Sequence, residues 1–454
     1  MSASDIPAVR RHLERLAAEG IDVVRVTYPD LIGTERARDV LLDHLPAACD
    51  HGLAFCRAVY HTSPQGDTVA VSGGLDAGLP DICVVPDLDT LTALPWEPGV
   101  ATCLGDAVDP ATGRPAPESP RDLLRAVVTR YGEHGLRPVV GPELEYFLCD
   151  AAPQGPEGSR GWRRYNTTPG AIYTAGLRAD PDNHLLRTLR LLHGLDIGVS
   201  SGNHEYDGSQ FEINLTHSDA MSAADRAFRF KAAVKELARG EGRLATFMAK
   251  PFNDAGGSGF HLHLSCLGDG DENVFADPSA PYGLSATARH AMAGVLAHAP
   301  ALAALANPTV NSYKRFGPDT LAPWLIDWGL DNRSALVRIP PERGPGSRFE
   351  IRLGDAGANP YLLIAATLAA ALLGVQAGEE PPAPLEGYGY DDTRSAVLPT
   401  TLSAALDALE ADTALTEVLG KDFTASYLAY KRDEVARFHR HVTDWEFTEY
   451  AYHL

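Results

Sequence analysis

The stretch Gly141-Pro142-Glu143-Leu144-Glu145-Tyr146-Phe147 decides the fold of this chain. It combines apolar residues with two carboxylates that lie two positions apart. Successive side chains of a β-strand point to opposite faces of the sheet. The stretch therefore predicts a strand with Glu143 and Glu145 on one face and with Leu144 and Tyr146 on the other, packed face.

The same alternation of polar and apolar side chains recurs in three later strands. The polar residues that share a face are, in chain order, Gln210, Glu212 and Asn214, then His261, His263 and Ser265, then Arg348, Glu350 and Arg352. Glu205 stands just before the first of these strands. If the strands belong to one sheet, five glutamates, two histidines and two arginines meet on its polar face.

Each of these strands, taken alone, has an ordinary explanation as a solvated face or a ladder of exposed ion pairs. Four of them together indicate an ionisable pocket. Because carboxylates cannot crowd together without counter-charge, bound divalent cations are the physical solution, and a set of carboxylates with one imidazole suits Mg²⁺ or Mn²⁺. Arginines that remain can hold phosphate groups. A two-carboxylate glycosidase could use Glu143 and Glu145, but it leaves the arginines and His261 unexplained.

Composition limits the class of protein. The chain has 454 residues and a formal net charge of −21, so two domains are expected and nucleic acid is an improbable partner. The longest apolar run, 361–375, is too short to span a membrane, and the N-terminus carries no secretory signal pattern. The six cysteines show no metal-site or disulfide spacing. We therefore expect a cytoplasmic protein that does not cross a membrane.

The order of predicted elements indicates an α+β protein. Strands and a helix form a small mixed domain over 1–108, and the segment 109–120, with four prolines, reads as a linker. The catalytic region over 121–454 interleaves polar-faced strands with helices. The longer helices are expected at 121–135, 182–194, 219–247, 285–303, 361–377, 401–409 and 421–441.

Six motifs, in order along the chain, resemble those of the glutamine synthetase superfamily of the type I kind. They are Gly141-Pro-Glu-Leu-Glu-Tyr-Phe147, His204-Glu205 with Gln210-Phe-Glu212, Phe247-Met-Ala-Lys-Pro251 with Gly257-Ser-Gly-Phe-His261-Leu-His263, Asn311-Ser-Tyr-Lys-Arg315, Asn332-Arg-Ser-Ala-Leu-Val-Arg338-Ile-Pro340 and Arg348-Phe-Glu-Ile-Arg352. The N-terminal third matches less well. The resemblance implies a β-grasp-like N-terminal domain, a catalytic domain whose polar-faced antiparallel sheet forms a funnel, and a homo-oligomer, usually a dodecamer of two hexameric rings.

The resemblance also implies roles for individual residues. One metal set is Glu145, Glu205 and Glu212, and the other is Glu143, His261 and Glu350. ATP is implied at His263, Ser265, Arg338 and Arg348. Glutamate and the transferred phosphoryl group are implied at Gly257, Arg315, Arg333 and Arg352, with Arg315, Arg333, Glu143 and Glu350 as the catalytic residues.

The implied reaction uses ATP to activate a γ-carboxylate. Its attack on the terminal phosphate brings two anions together, which requires cations on both. The resulting γ-glutamyl phosphate is an activated acyl group, and a neutral amine attacks it to form an amide. Water must be excluded at that stage.

Departures from the family pattern bear on the amine. Ammonia-using members carry a glutamate in the loop after the Asn-Ser-Tyr-Lys-Arg motif, where this chain has Leu321. An aspartate expected in the N-terminal domain is replaced around Cys56. The spacing from Glu205 to Glu212 resembles that of γ-glutamylpolyamine and related γ-glutamylamine synthetases.

These departures predict an ATP-dependent γ-glutamyl ligase that acts on an organic amine. An apolar wall of Leu321 and Trp324 would favour a carbon-bearing amine. Cys56 and Asp207 complete the predicted amine pocket, Asp207 as a partner for a distal ammonium group. Two alternatives stay open at this point: a true glutamine synthetase that uses ammonia, and a non-catalytic homologue that acts as a sensor or structural protein.

Overall fold

The computed structural model describes residues 6–152, 161–318, 320–391, 393–452 and 454, with side chains from Val9 onward. It confirms an α+β fold. The strands are β1 (Val23–Pro29), β2 (Glu35–Leu41), β3 (Leu53–Cys56), β4 (Asp81–Ala93), β5 (Val100–Val108), β6 (Arg137–Ala151), β7 (Trp162–Arg164), β8 (Val199–His204), β9 (Gln210–Leu215), β10 (Ser218–Asp219), β11 (Arg243–Thr246), β12 (Phe260–Leu267), β13 (Trp328–Leu330), β14 (Val337–Ile339) and β15 (Phe349–Ile351). The α-helices are α1 (Ile6–Ala18), α2 (Leu45–His51), α3 (Pro120–Glu133), α4 (His184–Gly194), α5 (Ala220–Gly240), α6 (Ala286–Ala297), α7 (Ala299–Ala306), α8 (Pro360–Ala377), α9 (Leu402–Ala411), α10 (Thr413–Leu419), α11 (Lys421–His439) and α12 (Asp444–Tyr450).

The N-terminal part is a mixed five-stranded sheet in the order β2-β1-β5-β4-β3. Strand β1 runs parallel to β5 and antiparallel to β2, as the predicted β-grasp-like domain requires. Val24 and Val26 of β1 are fully buried, because alternate residues of this strand face its core. Helix α3 begins after Ser119, whose side chain accepts a hydrogen bond from the Asp122 backbone.

A buried arginine fastens this sheet to the rest of the chain. Arg121 donates to Asp87 at 2.7 Å and to Asp106 at 2.5 Å, and both aspartates lie in the N-terminal sheet. The same guanidinium binds Asp225 of α5 at 2.9 and 3.0 Å. Three carboxylates around one arginine hold the two parts of the chain together by charge-assisted hydrogen bonds.

The second sheet brings the four polar-faced strands side by side. Its order is β13-β14-β15-β12-β6-β9-β8, and β7, β10 and β11 also pair with β6. In the antiparallel register His261 lies opposite Glu143, and Glu212 lies opposite Glu145. The prediction that these strands share one sheet is therefore confirmed. Among the described strands of this sheet, the parallel pairing is between β13 and β14, at its edge.

The other face of β6 is apolar and packed, as its sequence predicts. Leu144 and Tyr146 are fully buried. Helix α8 extends beyond the predicted apolar run 361–375 and is apolar around its whole circumference, so that, contrary to the sequence prediction, it is long and apolar enough to cross a membrane. Most of it is buried inside the protein, as is typical of a core helix.

Two helix predictions were wrong in their extent. The helix predicted over 219–247 ends at Gly240, and after a turn at Gly242, which has a φ of +73°, the chain continues as β11 along β6. A left-handed residue cannot continue a helix, and the sheet edge offers the backbone other partners. The helix predicted over 285–303 is two helices that are separated at His298. Pro300 has no amide hydrogen to donate, so it fits the first turn of the second helix but not the interior of a longer one.

Candidate active site

Three side chains from adjacent strands converge at the centre of the polar face. The ligand atoms of Glu143, His261 and Glu350 all lie within 4.8 Å of one another. His261 Nδ1 is 3.2 Å from Glu143 Oε1 and 3.6 Å from Glu350 Oε1. Strand register produces this contact, since Glu143 and His261 are directly opposite across β6 and β12.

Positive charge surrounds these two carboxylates. Arg338 and Arg352 each donate to Glu350 at 2.5 Å. Burial alone would raise the pKa of Glu350, but Arg352 and His261 outweigh it and lower that pKa to about 2. Burial likewise opposes ionisation of Glu143, yet hydrogen bonds with His261 and His263 hold its pKa below the usual range.

The second predicted carboxylate set has a different environment. Glu145 accepts hydrogen bonds from the Gln210 amide at 2.8 Å and from the Gly259 backbone at 2.9 Å. Burial, followed by repulsion from Glu145, raises the pKa of Glu205 to about 7. Burial and the charges of Glu143, Glu145 and Glu205 also raise the pKa of Glu212. Ionisation of Glu205 and Glu212 is therefore disfavoured, whereas Glu145 interacts with the buried Arg315 guanidinium.

Both sets have the donor chemistry that hard divalent cations prefer. Carboxylate oxygens with one imidazole suit Mg²⁺ or Mn²⁺. In the described part of the chain, the compact group is that of Glu143, His261 and Glu350, and Glu145, Glu205 and Glu212 are more widely spaced. His261 Nε2 is buried and without a hydrogen-bond partner among the described residues. The repulsion among the carboxylates shows that the site can accept added positive charge.

A cleft of about 400 Å³ opens beside Glu143. Three of the four residues predicted for ATP line it, namely His263, Ser265 and Arg348. Arg348 Nε donates to His263 Nδ1 at 3.2 Å. The fourth, Arg338, is turned toward Glu350 and Asp331. Pro345, Gly346 and Ser347 also line this cleft.

The residues predicted for glutamate and phosphoryl binding lie beside both carboxylate sets: Gly257 and Arg315 are near Glu145, and Arg352 contacts Glu350. Arg315 is buried against Gly257, where a Cβ would lie 2.5 Å from Arg315 Cγ and 2.8 Å from the Ala249 carbonyl oxygen. Glycine is therefore required there for space. Arg352 Nε donates to the Arg333 carbonyl at 3.1 Å, which joins two of the predicted arginines. The Arg333 side chain itself is exposed.

Burial lowers the pKa of the Arg315 guanidinium, although Glu145 and Asp355 act in the opposite direction. A buried cation next to carboxylates is costly unless a further anion binds to it. This environment suits recognition of a carboxylate or phosphoryl group.

The four predicted amine-pocket residues are in different surroundings. Leu321 has 51% of its surface exposed and a left-handed φ of +58°. Trp324 is partly buried, and its carbonyl accepts a hydrogen bond from Leu398. Asp207 lies 3.7 Å from Arg164 Nε and accepts the Ser209 amide, so it already has partners. Cys56 ends β3 in the N-terminal sheet, with its thiol 3.8 Å from the Leu79 carbonyl.

The structure adds residues that sequence reasoning did not assign to the site. The Gln210 amide bridges Glu145 and the Gly257 carbonyl, and its place in the polar alternation of β9 was the available signal. Tyr173 and Tyr390 also lie near predicted site residues. The charges of Glu205 and Arg333 affect the pKa of Tyr173. Tyr390 affects the pKa of Arg315, and Arg352 affects the pKa of Tyr390. No local pattern marks either tyrosine.

Comparison with known proteins agrees with this geometry. The family model described as "Glutamine synthetase, catalytic domain" matches residues 117–450. A glutamine synthetase of Halobacterium salinarum is 35% identical, over 97% of this chain and 96% of that protein. A glutamine synthetase of Thermotoga maritima is 33% identical, over 98% of this chain and 99% of that protein.

Solved structures give the same result. A structure titled as a GmaS/ADP complex has a TM-score of 0.84 and 32% identity, and covers 97% of this chain and 99% of its own. A structure titled as a novel glutamine synthase homologue has a TM-score of 0.80 and 29% identity, with 94% of this chain covered and 97% of its own. The chain therefore belongs to the glutamine synthetase family and is an ATP-dependent ligase.

Proposed function

We propose that this ligase joins the γ-carboxylate of glutamate to an organic amine through γ-glutamyl phosphate. In the first step a γ-carboxylate oxygen bonds to the terminal phosphorus of ATP, and ADP leaves. In the second step the amine nitrogen bonds to the activated carbonyl carbon, inorganic phosphate leaves, and the amine loses a proton. Both steps bring anions together, so the positive charges of the site carry the catalysis.

The arginines near Glu350 are proposed to hold the reacting anions. Arg315, Arg333 and Arg352, together with the Gly257 backbone, would bind glutamate and the phosphoryl group. His263, Ser265, Arg338 and Arg348 would bind ATP at the cleft beside Glu143. The cleft supports this assignment, and so does the structural neighbour whose title records ADP.

The two carboxylate sets are proposed as two divalent cation sites. Glu143, His261 and Glu350 would hold one Mg²⁺ or Mn²⁺, and Glu145, Glu205 and Glu212 would hold the other. Such cations, when bound, neutralise phosphate charge and polarise the transferred group. Glu143 and Glu350 would also keep the neighbouring arginines and His261 in place by the contacts described above.

The observation that carries the choice of an organic amine is Leu321. This apolar side chain is half exposed, in a left-handed conformation that is unfavourable for leucine by about 1–2 kcal/mol. Strain of this kind persists where surrounding contacts impose it, often at functional sites. A carbon-bearing amine would gain from contact with Leu321, whereas ammonium needs a carboxylate or other acceptor there.

The direct test is an amine panel. Purified protein with ATP, Mg²⁺ and glutamate is assayed for phosphate release with ammonium, monoamines and polyamines, and products are identified by mass spectrometry. We expect a γ-glutamylamide from at least one organic amine, with a kcat/KM above that for ammonium. Turnover with ammonium alone would establish a true glutamine synthetase, and no turnover with any amine would support a non-catalytic homologue.

A substitution sharpens this test. Leu321→Glu should lower kcat/KM for the preferred amine by about tenfold or more, because it replaces an apolar contact by a charge. It should raise relative use of ammonium. Leu186→Glu makes the same change on α4, at a leucine of 48% exposure, and should leave both values unchanged. Equal amine use by wild type and Leu321→Glu would remove Leu321 from the amine pocket.

A homo-oligomer and a cytoplasmic location complete the proposal. Large apolar side chains are exposed at the C-terminal end, including Trp445, Phe447, Tyr452 and Leu454, and would be covered in an assembly. A neighbouring subunit could then bring its Cys56 region to the site. Light scattering during size-exclusion chromatography measures the mass of this assembly.

Six unpaired cysteines fit a reducing compartment in which ATP and glutamate are available.

A further inference from the structure

One short segment connects two loops that carry predicted site residues. The segment 385–391, here called the strap, is hydrogen-bonded to the residues on either side of Arg333. The Asn332 side chain donates to the Gly387 carbonyl at 2.6 Å, and the Gly389 amide donates to the Ser334 hydroxyl at 2.8 Å. The strap is thus held firmly beside one wall of the site.

The same strap reaches the Leu321 loop through a tyrosine. The Tyr390 hydroxyl donates to the Ala322 carbonyl at 3.1 Å. The Leu321 backbone and the Thr320 side chain also bond to this phenol. The main chain on both sides of the strained residue is therefore held by one side chain.

The phenol is available as a donor. Burial and the neighbouring Tyr388 raise the pKa of Tyr390 to about 12, so the hydroxyl stays protonated at neutral pH. The two tyrosine rings meet edge to face, with centroids 4.7 Å apart. This contact limits rotation of Tyr390 away from the loop.

Tyr390 is also close to the predicted glutamate site. Its phenol affects the pKa of Arg315, and Arg352 affects the pKa of the phenol. The loop that Tyr390 holds is consequently next to the arginines proposed to bind glutamate.

We propose that Tyr390 is a positioning residue for amine selection: its hydroxyl holds the main chain at Leu321 and Ala322 so that the Leu321 side chain faces the incoming amine. This inference rests on the proposed function and deepens it. Without the hydrogen bond, the left-handed Leu321 is free to relax, since its strain is comparable to the bond that opposes it. The apolar wall would then lose its position.

The test is Tyr390→Phe, which keeps the ring and removes the hydroxyl. We expect KM for the preferred amine to rise about five- to tenfold, the fold-change of one hydrogen bond, with kcat at saturating amine and KM for ATP changed less than about twofold. Discrimination between that amine and ammonium should fall by a similar factor. Removing a hydroxyl with a purely structural role would not change the KM for the amine while leaving kcat and the KM for ATP nearly unchanged.

The matched control is Tyr131→Phe. The Tyr131 hydroxyl donates to the Leu368 carbonyl at 2.9 Å in the packing of α3 on α8. Its loss should lower the melting temperature without changing KM for the amine. An unchanged amine KM in Tyr390→Phe, or an equal change in Tyr131→Phe, overturns the inference.

The wild-type panel separates this inference from the proposed function. If wild type uses ammonium alone, the proposed function fails, and the role of Tyr390 is measured on ammonium KM instead. A rise in the KM for ammonium, without a change in the KM for ATP, would then support the role of Tyr390 in positioning the loop. An unchanged ammonium KM would overturn that role as well. If wild type turns over no amine, both the proposed function and this inference are overturned.

Discussion

Two carboxylate sets share one sheet face but differ in their electrostatics. Glu143 and Glu145 lie two residues apart on β6, yet they belong to different sets. In the first set, arginines and histidines lower the pKa values of Glu143 and Glu350. In the second set, burial and repulsion from neighbouring carboxylates, including Glu143 of the first set, raise the pKa values of Glu205 and Glu212.

The difference shows what the protein supplies by itself and what it leaves to a bound ion. The first set is held in position by Arg338, Arg352 and His263, so it is ordered before a cation binds. The second set is held by neutral donors, such as the Gln210 amide and the Gly259 backbone. Burial and repulsion oppose ionisation of Glu205 and Glu212, and an added cation would favour it. The two sets should therefore respond differently to mutation and to pH.

The largest effect is expected from Glu350→Gln. It removes a proposed metal ligand and the shared partner of the buried Arg352 and the partly buried Arg338, so ATP turnover should fall at least about 100-fold. Glu143→Ala should act similarly, because it also removes a proposed ligand. Phosphate release is the measurement, with circular dichroism to verify folding. Glu380→Gln breaks an exposed ion pair with Arg289 and serves as control. Wild-type turnover in Glu350→Gln would refute the assignment of the first set.

A weaker effect is expected from Glu212→Gln. It should reduce the affinity of one Mn²⁺ by about 10- to 100-fold and leave the other nearly unchanged, because the two proposed cation sites share no ligand. Isothermal titration calorimetry of the purified protein with Mn²⁺ measures both. If the substitution weakens the binding of both Mn²⁺ ions equally, or of neither ion, the proposal of two independent sets is wrong.

Lower pH should affect the sets unequally. Glu205, with a pKa of about 7, and Glu212, whose pKa is also raised, must lose protons to bind a cation. Mn²⁺ affinity at the second set should fall about tenfold per pH unit below 7 for each displaced proton. The carboxylates of the first set stay ionised between pH 8 and 6, so they release no proton when a cation binds. An unchanged Mn²⁺ affinity at the second set between pH 8 and 6 would contradict its raised pKa values.

The smallest effect concerns stability. The pKa of Glu205 is higher in the folded protein than in the unfolded chain, so its contribution to stability is present below about pH 4.5 and is lost as pH rises through about 7. At pH 8 without metal, Glu205→Gln should therefore raise the free energy of unfolding by about 1–2 kcal/mol. Urea unfolding measures it. At pH 4 the two proteins should be equally stable, and a less stable variant at pH 8 would contradict the repulsion.

Much of the site could be predicted from sequence because strands have a period of two. The alternation in 141–147 and in the three later strands identified which side chains share a face, and the burial of Leu144 and Tyr146 agrees. Helix ends were harder. The turn at Gly242 converts the expected end of a helix into β11, since the C-terminal residues of β6 offer hydrogen bonds that a local pattern does not reveal.

The sequence by itself determined the polar face, the order of the motifs and therefore the family. Only the tertiary structure decided how the charges are shared. Arg338 and Arg352 both bind Glu350 of the first carboxylate set, whereas burial and repulsion raise the pKa values of Glu205 and Glu212 in the second. The tertiary structure also places the Tyr390 hydroxyl against the Leu321 loop, where it donates to the Ala322 carbonyl. Alternation within a strand is local and can be read from the chain, whereas contacts between distant segments depend on how the sheet and its loops pack.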